Sequence, residues 1–110
     1  MRAFLFALLL AAMPAAAANW VVVTTAKDGD VLTMDMHSVD ASGNSVVATF
    51  KLGGKLAFAG LHKTECTKEY RRLYFKTDGQ EITTVIVQRD GRRMYDATGD
   101  ALCAVISNGS

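Results

Sequence analysis

Apolar and polar residues alternate with a period of two along most of this chain, and the period changes only near its end. Val31 to Met36 sets Leu32, Met34 and Met36 against Thr33 and Asp35, the pattern of a half-buried strand. Ser45 to Leu52 repeats it, with Val46, Ala48, Phe50 and Leu52 opposing Val47, Thr49 and Lys51. Asn19 to Thr25, NWVVVTT, is dense in β-branched residues and reads as an earlier strand. Lys63 to Phe75 is the longest strand candidate, and Glu81 to Gln88, EITTVIVQ, is the clearest. Lys55 to Leu61 fits either a short strand or a covering loop, because Gly60 argues for a bend.

The segments between these runs carry turn residues. Asp28-Gly29, Asp78-Gly79 and Asp90-Gly91 have the Asp-Gly grammar of antiparallel hairpins, and Asp40 to Asn44 and Gly53-Gly54 supply further turns. From Tyr95 to Ile106 the spacing becomes helical: Leu102, Val105 and Ile106 fall three and four apart with Cys103 beside them, and Asp96, Thr98 or Asp100 is placed to cap the start. The pattern predicts a single α+β domain, an antiparallel sheet of about six strands with a C-terminal helix on one face.

The first 18 residues stand apart. One cation at Arg2, an apolar run from Ala3 to Ala12, Pro14, and small residues at Ala16 and Ala18 form the layout of a cleavable secretory signal. The run is too short to serve as a membrane span. Residues 1–18 are therefore set aside as a signal peptide, and 19–110 as the exported domain. No cysteine stands at the cleavage point to accept a lipid, so the expected location is the periplasm or the outside of the cell. Taking 18 from 110 leaves 92 residues, enough for one domain with a modest core. Without Arg2 the chain carries 11 basic and 11 acidic residues, which disfavours a general nucleic-acid binder.

Cys66 and Cys103 are the only cysteines, and in an exported chain a pair of thiols is expected to be joined. Such a bond would close a long loop and tie the terminal helix to the middle of the chain. In the chain-entropy account that is worth up to about 3.9 kcal/mol.

Taken together, Trp20, the run Met34-Asp35-Met36-His37-Ser38-Val39, a Gly-Asn turn, the Phe50 strand, Cys66 followed by an Arg-containing strand into Asp78-Gly79, and a terminal Cys103 resemble the bacterial surface-adhesin protein E-like family. The resemblance implies an antiparallel sheet whose C-terminal helix is held by a Cys66–Cys103 disulfide. It also implies protein partners, namely host extracellular-matrix or serum proteins, and pairing as a homodimer. No binding residue is carried over, because no binding motif matches position by position.

Candidate chemistry is sparse. Asp35 and His37, two apart on a strand, present a carboxylate and an imidazole to one side, but a metal site needs at least a third ligand. His62, Glu65 and Cys66 sketch a thiol nucleophile, yet a disulfide-bonded cysteine has no thiolate to offer. Asn108-Gly109-Ser110 spells a glycosylation sequon that reads as coincidence behind a bacterial-looking signal. The expectation is a non-enzymatic protein with no cofactor and no metal.

What remains is an arrangement of charge. On an unbroken strand from Lys63 to Lys76, the side chains of Lys68, Tyr70, Arg72, Tyr74 and Lys76 point one way, cation alternating with aromatic ring, while Leu73 and Phe75 point the other. Arg92 and Arg93, with Arg89, add a second basic cluster. Each residue taken alone also fits a solvated face with its stem packed on a ring. Taken together they point to a surface that binds a protein partner at the cell envelope. The alternative is a periplasmic module for a small or lipidic ligand, which needs an apolar cavity between sheet and helix.

Overall fold

The computed structural model describes residues 18–109. Residues 1–17, within the segment expected to be a signal peptide, and Ser110, with which the Asn108-Gly109-Ser110 sequon ends, lie outside them. Six strands run in chain order: β1 (Trp20–Thr25), β2 (Val31–Asp35), β3 (Ser45–Leu52), β4 (Lys55–His62), β5 (Tyr70–Thr77) and β6 (Thr83–Gln88), followed by the helix α1 (Met94–Gly109). They form one antiparallel sheet in which every strand lies beside its sequence neighbours.

The period-two pattern decides which side α1 covers. Leu32 and Met34 of β2, Val46, Ala48 and Phe50 of β3, Ala59 and Leu61 of β4, Leu73 of β5 and Val87 of β6 meet Leu102 and Cys103 of α1 in one buried cluster. Phe50, Leu61, Leu73 and Leu102 are wholly buried. Burying a side chain of this kind is worth about 1.5–3 kcal/mol, so each contributes substantially to the shared core of helix and sheet.

Gly99 lies within α1 where a helix ordinarily disfavours glycine. A Cβ there would stand 3.0 Å from Val87 Cγ2, so its absence lets the helix lie close on β6. The helix begins at Met94. Among the three proposed caps, Asp96 fills the role from inside the first turn, accepting the backbone N–H of Arg93 at 3.1 Å. Thr98 instead donates to the Met94 carbonyl, and Asp100 pairs with Arg71.

Lys55 to Leu61, left open between strand and loop in the sequence, belongs to a full strand, Lys55–His62, paired along its length with β3. Three sequence expectations are corrected. The strand expected from Glu81 starts at Thr83. Met36–Ser38 is a short 3-10 helix, which takes Met36 out of β2. The long strand from Lys63 is broken: Lys63–Thr67 is a second 3-10 helix and β5 starts at Tyr70. That turn is where the chain leaves the sheet to reach α1. The Cys66–Cys103 disulfide therefore joins the helix to the β4–β5 connection, with the two Cα atoms 5.6 Å apart.

Candidate functional site

The side of the sheet away from α1 has no covering element among the described residues. Register places Tyr70, Arg72, Tyr74 and Lys76 there, because their partners Gln88, Ile86, Thr84 and Phe58 alternate with the buried positions. Four of the five proposed stripe residues thus share one face. Lys68 does not: it precedes β5, and its ammonium lies 2.6 Å from the Glu65 carboxylate. Glu65 also accepts the backbone N–H of Arg72 at 2.8 Å. The Lys68 bond first, and that N–H second, hold the Glu65 carboxyl below the usual range.

The stripe sits in an apolar setting that the sequence did not single out. Val47 of β3, Leu56 and Phe58 of β4 and Ile86 of β6 are exposed on the same face, Ile86 at 51 % and Tyr70 beside it at 61 %. Lys76 lies over the Phe58 ring at 6.0 Å, and Tyr74 meets the His62 ring edge to face at 5.8 Å. Farther along, Lys51 stands over Trp20 at 4.3 Å. A hollow of about 210 Å³ opens among Val47, Phe58, Gly60, Tyr74 and Lys76. Gly60 shapes its floor, since a Cβ there would lie 2.6 Å from Val47 Cγ1. Phe58 went unnoticed, and Gly60 was read only as a bend, because both fall in the undecided segment. The register of Val47, already assigned to the face opposite Val46, was the available signal.

Charge on this face is one-sided. Its strand positions carry Lys51, Arg72 and Lys76 against one carboxylate, Asp35. That carboxylate is engaged locally, accepting the backbone N–H groups of Asn19 and His37 at 2.9 and 3.0 Å. Asp35 and His37 accordingly do not share a strand face: the carboxylate caps the 3-10 helix that contains the histidine.

The second basic cluster lies elsewhere. Arg93 stands at the start of α1, where Nη2 donates to Asp96 at 2.8 Å and to the Ile86 carbonyl at 2.6 Å. Arg93 and Asp96 thereby occupy outward-pointing backbone groups at the edge of β6, which blunts that edge against strand pairing. Arg92 is exposed, while Arg89 turns toward the disulfide and donates to the Cys66 carbonyl at 3.1 Å. The three arginines do not form one surface.

The sketched thiol site is also dispersed. Cys66 is in the disulfide, Glu65 serves Lys68 and Arg72, and His62 Nδ1 lies 3.1 Å from Ser45 Oγ on the open face. Among the described residues no three of His, Cys, Asp and Glu converge as metal ligands.

On the covered side, an open groove of about 730 Å³ runs between α1 and the first two strands, with Val21, Val23, Met34, Ala101 and Val105 along it and Asp100 among its polar lining. Set against protein-family models, curated proteins and solved structures, the chain has no match. The likeness to the surface-adhesin protein E-like family rests on the residues quoted for it above.

Proposed function

We propose that the chain is an exported, non-enzymatic binding protein of the bacterial cell envelope, of the surface-adhesin protein E-like kind, which holds an acidic segment of a partner protein on its open sheet face. One observation carries this reading: Arg72 and Lys76 stand among exposed Phe58, Tyr70 and Ile86, and the only strand carboxylate on that side among the described residues is already engaged. Apolar side chains supply contact area and the cations select negative charge, the division of labour common in protein interfaces. The disulfide is consistent with export to an oxidising compartment.

The test is the double variant Arg72→Gln with Lys76→Gln, assayed on immobilised matrix and serum proteins. Binding at low salt should fall about tenfold with an unchanged circular dichroism spectrum, and parental binding should weaken as salt rises. Equal binding by parent and variant, or none by either, removes the proposal.

The groove between α1 and β1 supports a second reading, a module for a small lipidic ligand. Its apolar lining and its volume fall in the range of ligand clefts. A fluorescent fatty acid displaced by unlabelled lipid, with displacement lost in Ala101→Arg, would favour it over the first.

A further inference from the structure

A third recess lies beside the disulfide, on the helix side of the sheet and away from the open face. It is a cleft of about 670 Å³ whose charged lining is Lys63, Arg71, Arg89, Asp90 and Asp100. Arg71 and Arg89 each donate through Nη2 to the same neutral acceptor, the Cys66 carbonyl, at 3.2 and 3.1 Å. Asp100 takes Arg71 Nη1 at 2.7 Å and also faces the backbone N–H of Asp90. The Arg71 side chain is only 5 % exposed, and Nε of Arg71 and Nε of Arg89 are buried without a hydrogen-bond partner. A guanidinium has five donors, and a buried donor left unpaired is costly. Lys63, whose ammonium reaches the Ala41 carbonyl, adds a third cation at the rim. Lys63, Arg71 and Arg89 thus stand against two carboxylates, Asp90 and Asp100, the latter divided between Arg71 and the Asp90 backbone, and with two guanidinium groups sharing one carbonyl and donors left unpaired the arrangement is short of negative charge.

We propose that this cleft binds a compact oxyanion, a carboxylate or a phosphate group. Arg89 and Lys63 contact it, and Arg71, fixed by Asp100 and the Cys66 carbonyl, is the positioning residue that supplies the field behind them. The planar fork of Arg89 suits either group, which accepts two parallel N–H bonds. Because basic and acidic residues balance outside the leader, the attraction is local, and salt should screen it only in part within a recess.

The purified protein is titrated with sodium phosphate and with sodium acetate at constant ionic strength while the arginine Nε–Hε signals are followed by nuclear magnetic resonance. Saturable shifts at Arg71 and Arg89 are expected, with affinity about tenfold lower in Arg89→Gln and about threefold lower in Lys63→Gln. Arg72→Gln, on the opposite face, should leave the titration unchanged whatever its effect on protein partners. Co-sedimentation with phosphatidylglycerol vesicles but not phosphatidylcholine vesicles, lost in Arg89→Gln, would identify the source as a lipid headgroup. Saturable shifts without co-sedimentation would identify a free solute. Should Arg89→Gln lose its native dichroism, Lys63→Gln carries the comparison. Absence of a saturable shift with both anions, or equal weakening by Arg89→Gln and Arg72→Gln, overturns the site.

Discussion

Asp96, in the first turn of α1, accepts the backbone N–H of Gln88, the last residue of β6, at 2.7 Å. One buried carboxylate thus bonds the helix start to the sheet edge while also receiving Arg93 through Nη2 at 2.8 Å and through its backbone N–H at 3.1 Å. Gly91 makes the space, since a Cβ there would collide with that carboxylate.

The resulting pH dependence has a definite sign. Burial pushes the Asp96 carboxyl up, but the bonds from Arg93 and from the Gln88 N–H outweigh it and hold the group below its ordinary value. A carboxyl whose folded value is depressed contributes stability that is complete above the unfolded value, about 3.9, and is lost as pH falls through the folded one. Asp96→Asn should cost about 2 kcal/mol near neutral pH. Thermal melts from about pH 7 to about pH 2 should show the gap between parent and variant closing at the acid end. A gap that stays constant would mean that Asp96 is not bonded as an anion.

The disulfide prediction follows from where Cys66 sits. Its 3-10 turn is held by few buried apolar contacts, and the Arg71 and Arg89 bonds to its carbonyl remain when the sulfur bridge is gone. Cys103→Ser should therefore keep the fold and lose about 2–4 kcal/mol, a drop of some ten degrees or more in Tm for a domain of this size. An unchanged midpoint would show that α1 docks without the bond.

At Gly60 the open face comes within reach of a packing test. Gly60→Ala sets a Cβ against Val47 Cγ1 at 2.6 Å and the Val46 carbonyl at 3.1 Å, so a cost of about 1–3 kcal/mol is expected. Val47→Ala removes the nearer obstacle and should recover part of that loss in the double variant. Additive effects of the two changes in denaturant melts would place the strain elsewhere.

How much of this was legible in the sequence depends on what each residue's neighbours are. The alternation in β2 and β3, the β-branched run of β6 and the helical spacing of Leu102, Val105 and Ile106 were readable, because one side of each element is covered by apolar packing. β4 was not, since its inward positions include Ala57 and Ala59, chosen small, and Gly60 mimics a bend. The break at Lys63–Thr67 was hidden because Glu65 and Arg71 are buried charged residues, which local pattern reads as exposed. Arg71 was nonetheless within reach: it shares the alternation of Leu73 and Phe75, so a strand that puts Arg72 outward must put Arg71 inward. Its partner Asp100 lies 29 positions away, and no local rule brings the two together.

That ion pair yields the final prediction, because its members are unequally buried. Arg71 has 5 % of its side chain exposed and Asp100 has 32 %, with 2.7 Å between Nη1 and Oδ1. Removing Asp100 strands a cation with little water around it, whereas removing Arg71 leaves a carboxylate that can hydrate and still accept the Asp90 N–H. Breaking a buried pair by deleting the partner of a buried charge costs about 3–5 kcal/mol, and partial exposure of Asp100 places this case at about 3. Arg71→Met keeps an unbranched apolar stem among the inward residues of β5 and should cost about 1 kcal/mol. The Cys66 carbonyl still has Arg89. Asp100→Ala should therefore be the more damaging single change, and the double variant should resemble Arg71→Met alone, giving a coupling of about 3 kcal/mol in the cycle. Denaturant melts of the four proteins decide it. Equal losses from the two single variants would mean that the guanidinium reaches water when Asp100 is gone, and that the recess beside the disulfide is wetter than its unpaired arginine donors indicate.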